Sequence, residues 1–274
     1  MLKRIRPGDL SFDRLAGAVL RRIADIPGAL AWASAGGREY RDRLQAMRDL
    51  HSGQRCFIMG NGPSLAKMDL SALAGETTFG LNRIYLLFER MDFRPSYYMC
   101  TNELVLTQFA GEIQALEMPK FLNWNCRRLF DRSDKTINFV KMKLSLSDRL
   151  QTDVTRPIYG GGTVTFAALQ LAYYMGFETV ILIGVDHNFV DRGTPNTTVL
   201  RTSDRDENHF HPDYFPAGSK WQLPDLRRSE IAYEIARQAY ERSGRQILDA
   251  TVDGHCQVFE KVEFESLFST RTPV

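Results

Sequence analysis

The sequence lacks the features that identify several large classes of protein. No run approaches the roughly 18 apolar residues that a membrane-spanning helix requires, and the basic N-terminal segment lacks the apolar region of a signal peptide. With 35 Lys and Arg against 33 Asp and Glu, the 274-residue chain carries a net charge of only +2. This balance excludes a strongly basic nucleic-acid-binding surface and an acidic disordered chain. We therefore expect a cytoplasmic globular protein without a nucleic-acid partner.

Cysteine is scarce. The four cysteines are Cys56, Cys100, Cys126 and Cys256, and no two of them have the CxxC spacing. In a cytoplasmic protein this distribution argues against a disulfide framework and against a structural zinc site. We expect four small buried thiols and no metal centre.

What is present from residue 54 onward is an alternation of short apolar runs with helical stretches. The predicted strands are 55–60, 77–82, 96–102, 120–124, 136–142, 178–186 and 245–251. The predicted helices are 104–117, 163–175 and 225–244. Because such units join through right-handed crossovers, the pattern predicts an α/β, Rossmann-like fold with a mainly parallel sheet flanked by helices.

The chain divides into three predicted segments. Residues 1–51 contain ten basic and six acidic residues and form a helical N-terminal appendage, whose helix we expect to end at Pro27. Residues 52–255 form the core, and 256–274 form a C-terminal tail. Within the core, residues 187–224 are rich in Asn, Asp, His, Pro and Gly without periodicity. A loop of this length in a compact enzyme is typically a binding segment, so we predict a lid insertion there.

The N-terminal helix is amphipathic and rich in positive charge. A helix of this kind packs on its own domain or on a second subunit, or it binds a membrane surface or a partner protein. Both interpretations stay open at this point. They predict either a homo-oligomer or a peripheral contact at the inner face of the membrane.

Polar side chains follow four of the predicted strands. Asn61, Asn82 and Asn102 follow the first three, and Asp186 follows the most hydrophobic one. Ligands of open parallel sheets bind beyond the carboxyl ends of the strands. An asparagine offers a donor and an acceptor at short reach, so these residues are predicted to contact a nucleobase, ribose or phosphate.

Two glycine-rich turns are candidate anion sites. GNGPS at 60–64 is neither the G-x-G-x-x-G fingerprint nor a P-loop, and GGGT at 160–163 opens a helix. The residues predicted to bind the ligand in these turns are Gly60, Asn61, Gly62, Pro63, Ser64, Gly161, Gly162 and Thr163. Together the two turns indicate a phosphorylated or nucleotide ligand.

The predicted lid contains His209 and His211. An imidazole in a lid suits a general base that deprotonates an acceptor hydroxyl. A surface role or a metal site are the alternatives, and no matching Cys, His or Glu pair favours a metal. We therefore predict that one of the two histidines is catalytic.

These residues carry a resemblance over roughly residues 52–255. The GNGPSL turn, Asn82, Asn102 and the block from the glycine-opened helix to MGFETVILIGVD resemble the bacterial sialyltransferases of glycosyltransferase family 42. They resemble at least as closely the 6-hydroxymethylpterin diphosphokinase MptE-like family, whose domain is the core of motility accessory proteins implicated in glycosylating flagellin with nonulosonic acids.

The resemblance implies a site for a CMP-activated sugar. It places the 60–64 turn near ribose and phosphate, Asn82 and Asn102 at the donor sugar or leaving phosphate, and the glycines at 161–162 near cytidine. A lid histidine is the base in the sialyltransferases.

Two departures from the sialyltransferase pattern bear on the donor. Arg83 stands where those enzymes have an amide, and it could compensate the phosphate charge. His187 and Asn188 follow Asp186 in place of the usual tyrosines, and we count Asp186 and Asn188 among the nucleotide-binding residues.

Three functions remain in view. The first is an inverting, metal-independent glycosyltransferase that moves a sialic or other nonulosonic-type sugar from CMP to a glycan or protein hydroxyl, without a cofactor. The second is a pterin diphosphokinase that uses ATP and Mg²⁺. Its metal would need carboxylates, for which the candidates are Glu103, Asp186, Asp204, Asp206 and Asp213. The third is a non-catalytic nucleotide- or glycan-binding module.

Overall fold

The computed structural model describes residues 12–145, 147–190, 193–203 and 205–268. Its strands are β1 (Arg55–Met59), β2 (Thr78–Leu81), β3 (Tyr97–Cys100), β4 (Lys120–Asn123), β5 (Ile137–Val140), β6 (Met142–Lys143), β7 (Ile158–Tyr159), β8 (Thr179–Ile183), β9 (Thr198–Leu200), β10 (Lys220–Gln222), β11 (Gln246–Asp249) and β12 (Glu260–Lys261). Its α-helices are α1 (Phe12–Ala33), α2 (Ala35–Gln45), α3 (Glu103–Gln108), α4 (Ala110–Gln114), α5 (Val164–Tyr174) and α6 (Leu226–Arg242). Short 3₁₀ helices cover Pro63–Lys67, Leu70–Leu73, Ile84–Arg90, Trp124–Leu129 and Glu265–Leu267.

Among the described residues, eight strands form one sheet in the order β12-β11-β8-β1-β2-β3-β4-β5. Every neighbouring pair in this sheet is parallel. Strands β2, β4 and β5 are buried along their whole length because helices cover both faces of the sheet. The predicted α/β fold with a parallel sheet is therefore confirmed, and all four cysteines are buried and free, as expected.

The strand order reverses at β1. The chain proceeds from β1 through β2 to β5 on one side and returns on the other side through β8, β11 and β12. In an open parallel sheet this reversal leaves a crevice beyond the carboxyl ends of the two central strands, here β1 and β8. Helix α5, which is apolar nearly all round and almost fully buried, packs against β1, β2 and β3 beneath this crevice.

The N-terminal segment differs from the prediction in two ways. Helix α1 does not end at Pro27 but continues to Ala33. Contacts across the proline hold it in place, since Lys141 binds the carboxylate of Asp25 and Trp124 donates to the carbonyl oxygen of Gly28 at 2.9 Å. The residues before the predicted boundary at 51 also do not pack as a separate unit, because Trp32, Tyr40 and Leu44 are buried in the same core as the sheet.

The lid and the tail both contain structure that the sequence pattern did not reveal. Within 187–224, strands β9 and β10 pair as a short antiparallel ribbon. The tail adds the parallel edge strand β12 to the main sheet, and its Phe264 and Phe268 pack on Phe57 of β1. A polar two-residue edge strand has too few residues for a recognisable pattern.

Within the described ranges, no helix combines the length and the apolar character needed to cross a membrane.

Candidate active site

Two adjoining chambers open beyond the carboxyl ends of the central strands. The smaller chamber, of about 150 Å³, is bounded by the loops that follow β1, β2 and β8 and by lid residues. The larger chamber, of about 670 Å³, lies beyond β3 and β4. Gly162, Thr163 and Val164, at the start of α5, line both chambers. The smaller chamber therefore occupies the crevice that the strand reversal creates.

The glycine turn after β1 is shaped by close backbone approach. A Cβ atom on Gly60 would lie 2.2 Å from the carbonyl oxygen of Gly184, and one on Gly62 would lie 1.7 Å from Oδ2 of Asp186. Hydrogen bonds from Gly60 and Gly62 to the end of β8 fix this contact. Only glycine fits at either position, so the GNGPS sequence is explained by the docking of one strand-end loop on another.

Asp186 holds that turn. Its carboxylate accepts the backbone N–H of Ser64 at 2.9 Å and the Ser64 hydroxyl at 2.6 Å. Burial raises the pKa of Asp186 above its ordinary value, and the two Ser64 hydrogen bonds oppose that rise. Both residues were predicted to contact the nucleotide; their polar groups bind each other, and Asp186 also lines the smaller chamber. Pro63 faces a separate groove beside Phe210 and Pro212.

Two asparagine side chains in the smaller chamber have an unsatisfied oxygen. The Oδ1 atoms of Asn61 and Asn82 are buried, and neither has a hydrogen-bond partner among the described residues. Asn82 also has a positive φ of 46°, a conformation that asparagine tolerates better than most residues. A buried polar atom without a partner costs on the order of 1–3 kcal/mol. Both residues line the smaller chamber, and their oxygens are buried acceptors without a partner in its wall.

The third predicted asparagine has a different position. Asn102 caps the N-terminus of α3, where its Oδ1 accepts the backbone N–H groups of Leu104 and Val105 at 2.9 and 3.4 Å. It lines the larger chamber, not the smaller one. Its occurrence at a strand end reflects the need for a cap, which the sequence could not distinguish from a ligand contact.

Arg83 is not available to a phosphate. It is buried, and its guanidinium donates to the carbonyl oxygens of Asp213 and Tyr214, to Tyr85 and to the carboxylate of Glu112. The same group lies 3.7 Å from the ring centre of Phe109. Its donors bind protein partners, so they are not free to compensate the charge of a phosphate as predicted. Arg83 instead joins the end of β2 to the lid.

His209 lies in the smaller chamber in a defined orientation. Its Nδ1 is 2.9 Å from Oδ2 of Asp206, and its ring stacks on Tyr214 with centroids 3.9 Å apart and an interplanar angle of 4°. Burial would raise the pKa of Asp206, but the hydrogen bond and charge of His209 lower it below its ordinary value. Burial also raises the pKa of Tyr214, which keeps its hydroxyl neutral.

His211 has no comparable setting. Its Nδ1 accepts the backbone N–H of Asp213 at 3.1 Å, and it is absent from the lining of both chambers. The structure thus separates two histidines that the sequence left equivalent.

Only part of the second glycine turn, at 160–163, is open to a ligand. Gly161 donates its N–H to Asp148 at 3.1 Å, and its positive φ and the proximity of Phe166 leave no room for a side chain. Gly162 is exposed to both chambers, and Thr163 caps α5 by accepting from the N–H of Thr165. The candidate anion position is therefore at Gly162 and Thr163, where the helix dipole also favours negative charge.

Several lining residues escaped the sequence prediction. His187 has a positive φ of 55° and lies 3.1 Å from Glu230, and Tyr233 of α6 is 3.4 Å from the Thr163 hydroxyl. Asn188, which was predicted, and Phe189 also line the smaller chamber. Tyr233 lies on the buried face of an amphipathic helix, where its pattern is that of a core residue.

The larger chamber is polar and carries cations. Arg22 of α1 and Lys143 of β6 line it without an ion pair to any described residue. Arg228 also lines it, but its guanidinium forms two hydrogen bonds with Asp148 at 2.8 and 3.0 Å. Helix α1 thus contributes directly to this chamber.

No group of three or more metal-ligating side chains occurs in the part of the chain that the structure describes. Asp204, one of the predicted carboxylates, lies outside the described residues.

Comparison with known proteins places this geometry in context. The profile of the 6-hydroxymethylpterin diphosphokinase MptE-like family matches residues 38–192. No curated protein matches the chain. A solved structure, the MAf glycosyltransferase from Magnetospirillum magneticum AMB-1, aligns with a TM-score of 0.48 and 14% identity over 84% of this chain. The alignment covers 38% of that protein, so the chain spans well under half of its length.

Proposed function

The chain belongs to the 6-hydroxymethylpterin diphosphokinase MptE-like family, and from the geometry of the smaller chamber we propose that it is a glycosyltransferase. It transfers a sialic or other nonulosonic-type sugar from a CMP-activated donor to a hydroxyl of a glycan or protein. The observation that carries this proposal is the pairing of His209 with Asp206 beside two unpartnered asparagine oxygens.

The histidine has the arrangement of a general base. A general base must be neutral, and in the neutral form a proton on Nδ1 would be donated to Asp206, which would leave the lone pair on Nε2 for the acceptor hydroxyl. The stack on Tyr214 fixes the ring plane. His209 removes the proton of the acceptor hydroxyl while the acceptor oxygen bonds to the anomeric carbon. The bond from that carbon to the CMP phosphate breaks, and its electron pair leaves with the phosphate.

The asparagines support a nucleotide-sugar donor. An amide oxygen accepts only, so on ligand binding the buried Oδ1 atoms of Asn61 and Asn82 would take hydroxyl or amino hydrogens, such as those of a ribose or a sugar ring. The phosphate would occupy the start of α5 beside Gly162, where the helix dipole stabilises a leaving anion; the N–H of Thr163 itself donates to the carbonyl oxygen of Gly160.

The larger chamber provides the remaining space. Its volume of about 670 Å³ is within the range of small-molecule sites. Arg22 and Lys143 supply positive charge that suits the carboxylate of an acidic sugar. Both chambers are lined by the start of α5, and we propose that the donor spans them there.

The family match also favours a second candidate, a 6-hydroxymethylpterin diphosphokinase that uses ATP and Mg²⁺. Such a reaction needs carboxylates close to the phosphates. Two of the candidate carboxylates already have protein partners, since Asp186 accepts from Ser64 and Asp206 pairs with His209. We therefore rank this candidate second.

Titration calorimetry on the full chain separates the two candidates. CMP should bind to the native chain. Asn61→Ala should weaken the free energy of CMP binding by at least about 1 kcal/mol, because the substitution removes an acceptor beside the chamber without leaving a gap in the core. Release of CMP from CMP-N-acetylneuraminic acid reports turnover even without an identified acceptor. Binding of ATP–Mg²⁺ and 6-hydroxymethyl-7,8-dihydropterin, without binding of any cytidine nucleotide, would favour the diphosphokinase over the glycosyltransferase.

A further inference from the structure

The smaller chamber contains a second pairing of a histidine with a carboxylate. His187, which directly follows Asp186 beyond β8, lines the chamber, and its Nε2 is 3.1 Å from Oε1 of Glu230 in α6. His209 and Asp206 form the first pair at the same chamber. The proposed function uses the first pair as the base and assigns no part to the second.

The backbone holds His187 in a defined place. Its φ of 55° is in the left-handed region, which histidine enters more readily than most residues. The preceding residue is fixed on both sides, since the carboxylate of Asp186 accepts from Ser64 and its carbonyl oxygen accepts the N–H of His255 at 2.9 Å. The side chain of His187 is only 7% exposed, so it is enclosed between this loop and α6.

The smaller chamber has few groups that can neutralise a phosphate. Among the described residues that line it there is no lysine or arginine, and the basic ones are His187 and His209. Arg228 lies beside the start of α5, 3.5 Å from where a Cβ atom on Gly162 would be, but its guanidinium binds Asp148. Because His209 must be neutral to act as a base, His187 is the remaining lining group that can carry positive charge.

Helix α6 connects His187 to the start of α5. The ring centre of Tyr233 is 6.2 Å from that of His187, and the Tyr233 hydroxyl is 3.4 Å from the hydroxyl of Thr163. Leu226 and Ser229 of the same helix also line the chamber. Tyr233 therefore lies beside both His187 and the helix end at which the phosphate is proposed to bind.

The charges around His187 suit a cation. The titratable groups of its own loop, of α6 and of the loop after β11 are Asp186, Glu230, Tyr233, His255 and Cys256. Burial raises the pKa of Tyr233 to about 12 and raises that of Cys256, so both are neutral near pH 7. His255 is exposed. A protonated His187 would form an ion pair with Glu230.

A protonated ring would also have a donor to spare. The ionised carboxylate of Glu230 accepts only, so Nε2 carries a proton in this contact. The other nitrogen of His187, Nδ1, has no hydrogen-bond partner among the described residues. In an imidazolium Nδ1 is a second donor, and a phosphate oxygen is the type of acceptor with which it forms a strong, charge-assisted hydrogen bond.

We propose that His187, held by Glu230, is a second catalytic histidine, which in its protonated form donates from Nδ1 to the phosphate of the departing CMP. This inference rests on the proposed function. As the bond between the anomeric carbon and the phosphate oxygen breaks, its electron pair stays on that oxygen, and the phosphate takes the proton of Nδ1. His209 takes the proton of the acceptor hydroxyl. Each turnover thus leaves His187 neutral and His209 protonated, and proton exchange with solvent restores both.

The pH dependence of kcat for CMP release from CMP-N-acetylneuraminic acid tests this role. The native chain should give a bell-shaped profile, because His209 must be neutral and His187 must be protonated. His187→Asn introduces a residue that tolerates the same backbone conformation. It should lower kcat about 10²-fold and remove the alkaline limb, while the acid limb remains.

Glu230→Gln tests the same role without changing the backbone at His187, and it serves if His187→Asn does not fold. The substitution removes the carboxylate that pairs with the protonated ring, so the alkaline limb should move to lower pH. Glu234→Gln, one turn along α6 and paired with Arg237, is the matched control and should leave the profile unchanged.

Calorimetry tests the phosphate contact without turnover. At pH 6, His187→Asn should weaken the binding of CMP about tenfold and leave the binding of cytidine, which has no phosphate, unchanged. An alkaline limb that persists in His187→Asn, or equal weakening of CMP and cytidine, would overturn the role of His187 and leave the glycosyltransferase standing. A native chain that neither binds CMP nor releases it from the CMP-sugar would overturn the proposed function, and this role with it.

Discussion

The two chambers are built in different ways, and the difference matches the proposed division between proton transfer in the smaller one and charge recognition in the larger one. The smaller chamber is assembled from strand ends whose polar groups satisfy one another, as Asp186 and Ser64 do, and it leaves only selected atoms unpaired. The larger chamber is bounded partly by α1 and β6, and its cations Arg22 and Lys143 are open. A site that orients a proton transfer needs side chains whose positions are fixed by several contacts. Charge recognition tolerates long, flexible side chains.

The largest expected effect concerns His209 in the smaller chamber. His209→Ala should lower kcat for CMP release about 10²–10⁴-fold with little change in CMP affinity, because the base acts only in the transition state. His211→Ala is the control and should retain near-native kcat, since that ring lies outside both chambers. Equal losses in the two variants would mean that the lid histidines act in some other way.

The next effect is on stability. Gly62→Ala places a methyl group against the Asp186 carboxylate and should lower the free energy of unfolding by at least about 2 kcal/mol. Gly111→Ala in α4 meets no atom within 4 Å and should be neutral or slightly stabilising. Urea unfolding monitored by circular dichroism measures both. A native-like Gly62→Ala protein would show that the turn adapts and is not fixed by Asp186.

Acid should weaken the histidine pair in a predictable range. The pKa of Asp206 is lowered in the folded protein, so its ionised form stabilises the fold at any pH above the unfolded value near 4. That stabilisation is lost as the pH falls from about 4 through the lowered folded pKa. The difference in thermal midpoint between the native chain and Asp206→Asn should therefore close in this range. A difference that stays constant down to the acid limit would argue against the contact between Asp206 and His209.

The smallest effect belongs to the open cations. Lys143→Gln should weaken the binding of CMP-N-acetylneuraminic acid by less than about 1 kcal/mol, and the loss should be greater at low salt. The binding of CMP itself should be unaffected. Lys135→Gln, an exposed lysine paired with Glu39, is the control. Equal weakening of CMP and the CMP-sugar by Lys143→Gln would place the nucleotide, and not the sugar, in the larger chamber.

The fold could be predicted because the parallel sheet is buried on both faces and its strands are continuous apolar runs. The crevice could be predicted for the same reason, since carboxyl ends of parallel strands meet at one edge. The course of α1 past Pro27 could not, because it depends on the contacts of Asp25 and Gly28 with residues about a hundred positions away. The edge strand β12 escaped because two polar residues carry no periodicity.

Individual site residues were harder to assign because the same residue type serves two purposes. Asn61 and Asn102 both follow a strand, yet the oxygen of Asn61 is buried without a partner and that of Asn102 caps a helix. Arg83 has the charge a phosphate needs, but the lid carbonyls occupy it. Such distinctions depend on which partner comes close in three dimensions, and a single sequence holds no record of that distance.

One contact of the glycine turn links occupancy to access. The backbone carbonyl of Asn61 accepts the N–H of Phe210 in the lid at 3.0 Å, while the side chain of the same residue faces the chamber. A ligand that engages the side chain therefore also steadies the residue to which the lid is fastened. If residues 187–224 open as a lid, we expect variants of this turn to change the rate of ligand escape and the rate of lid opening together.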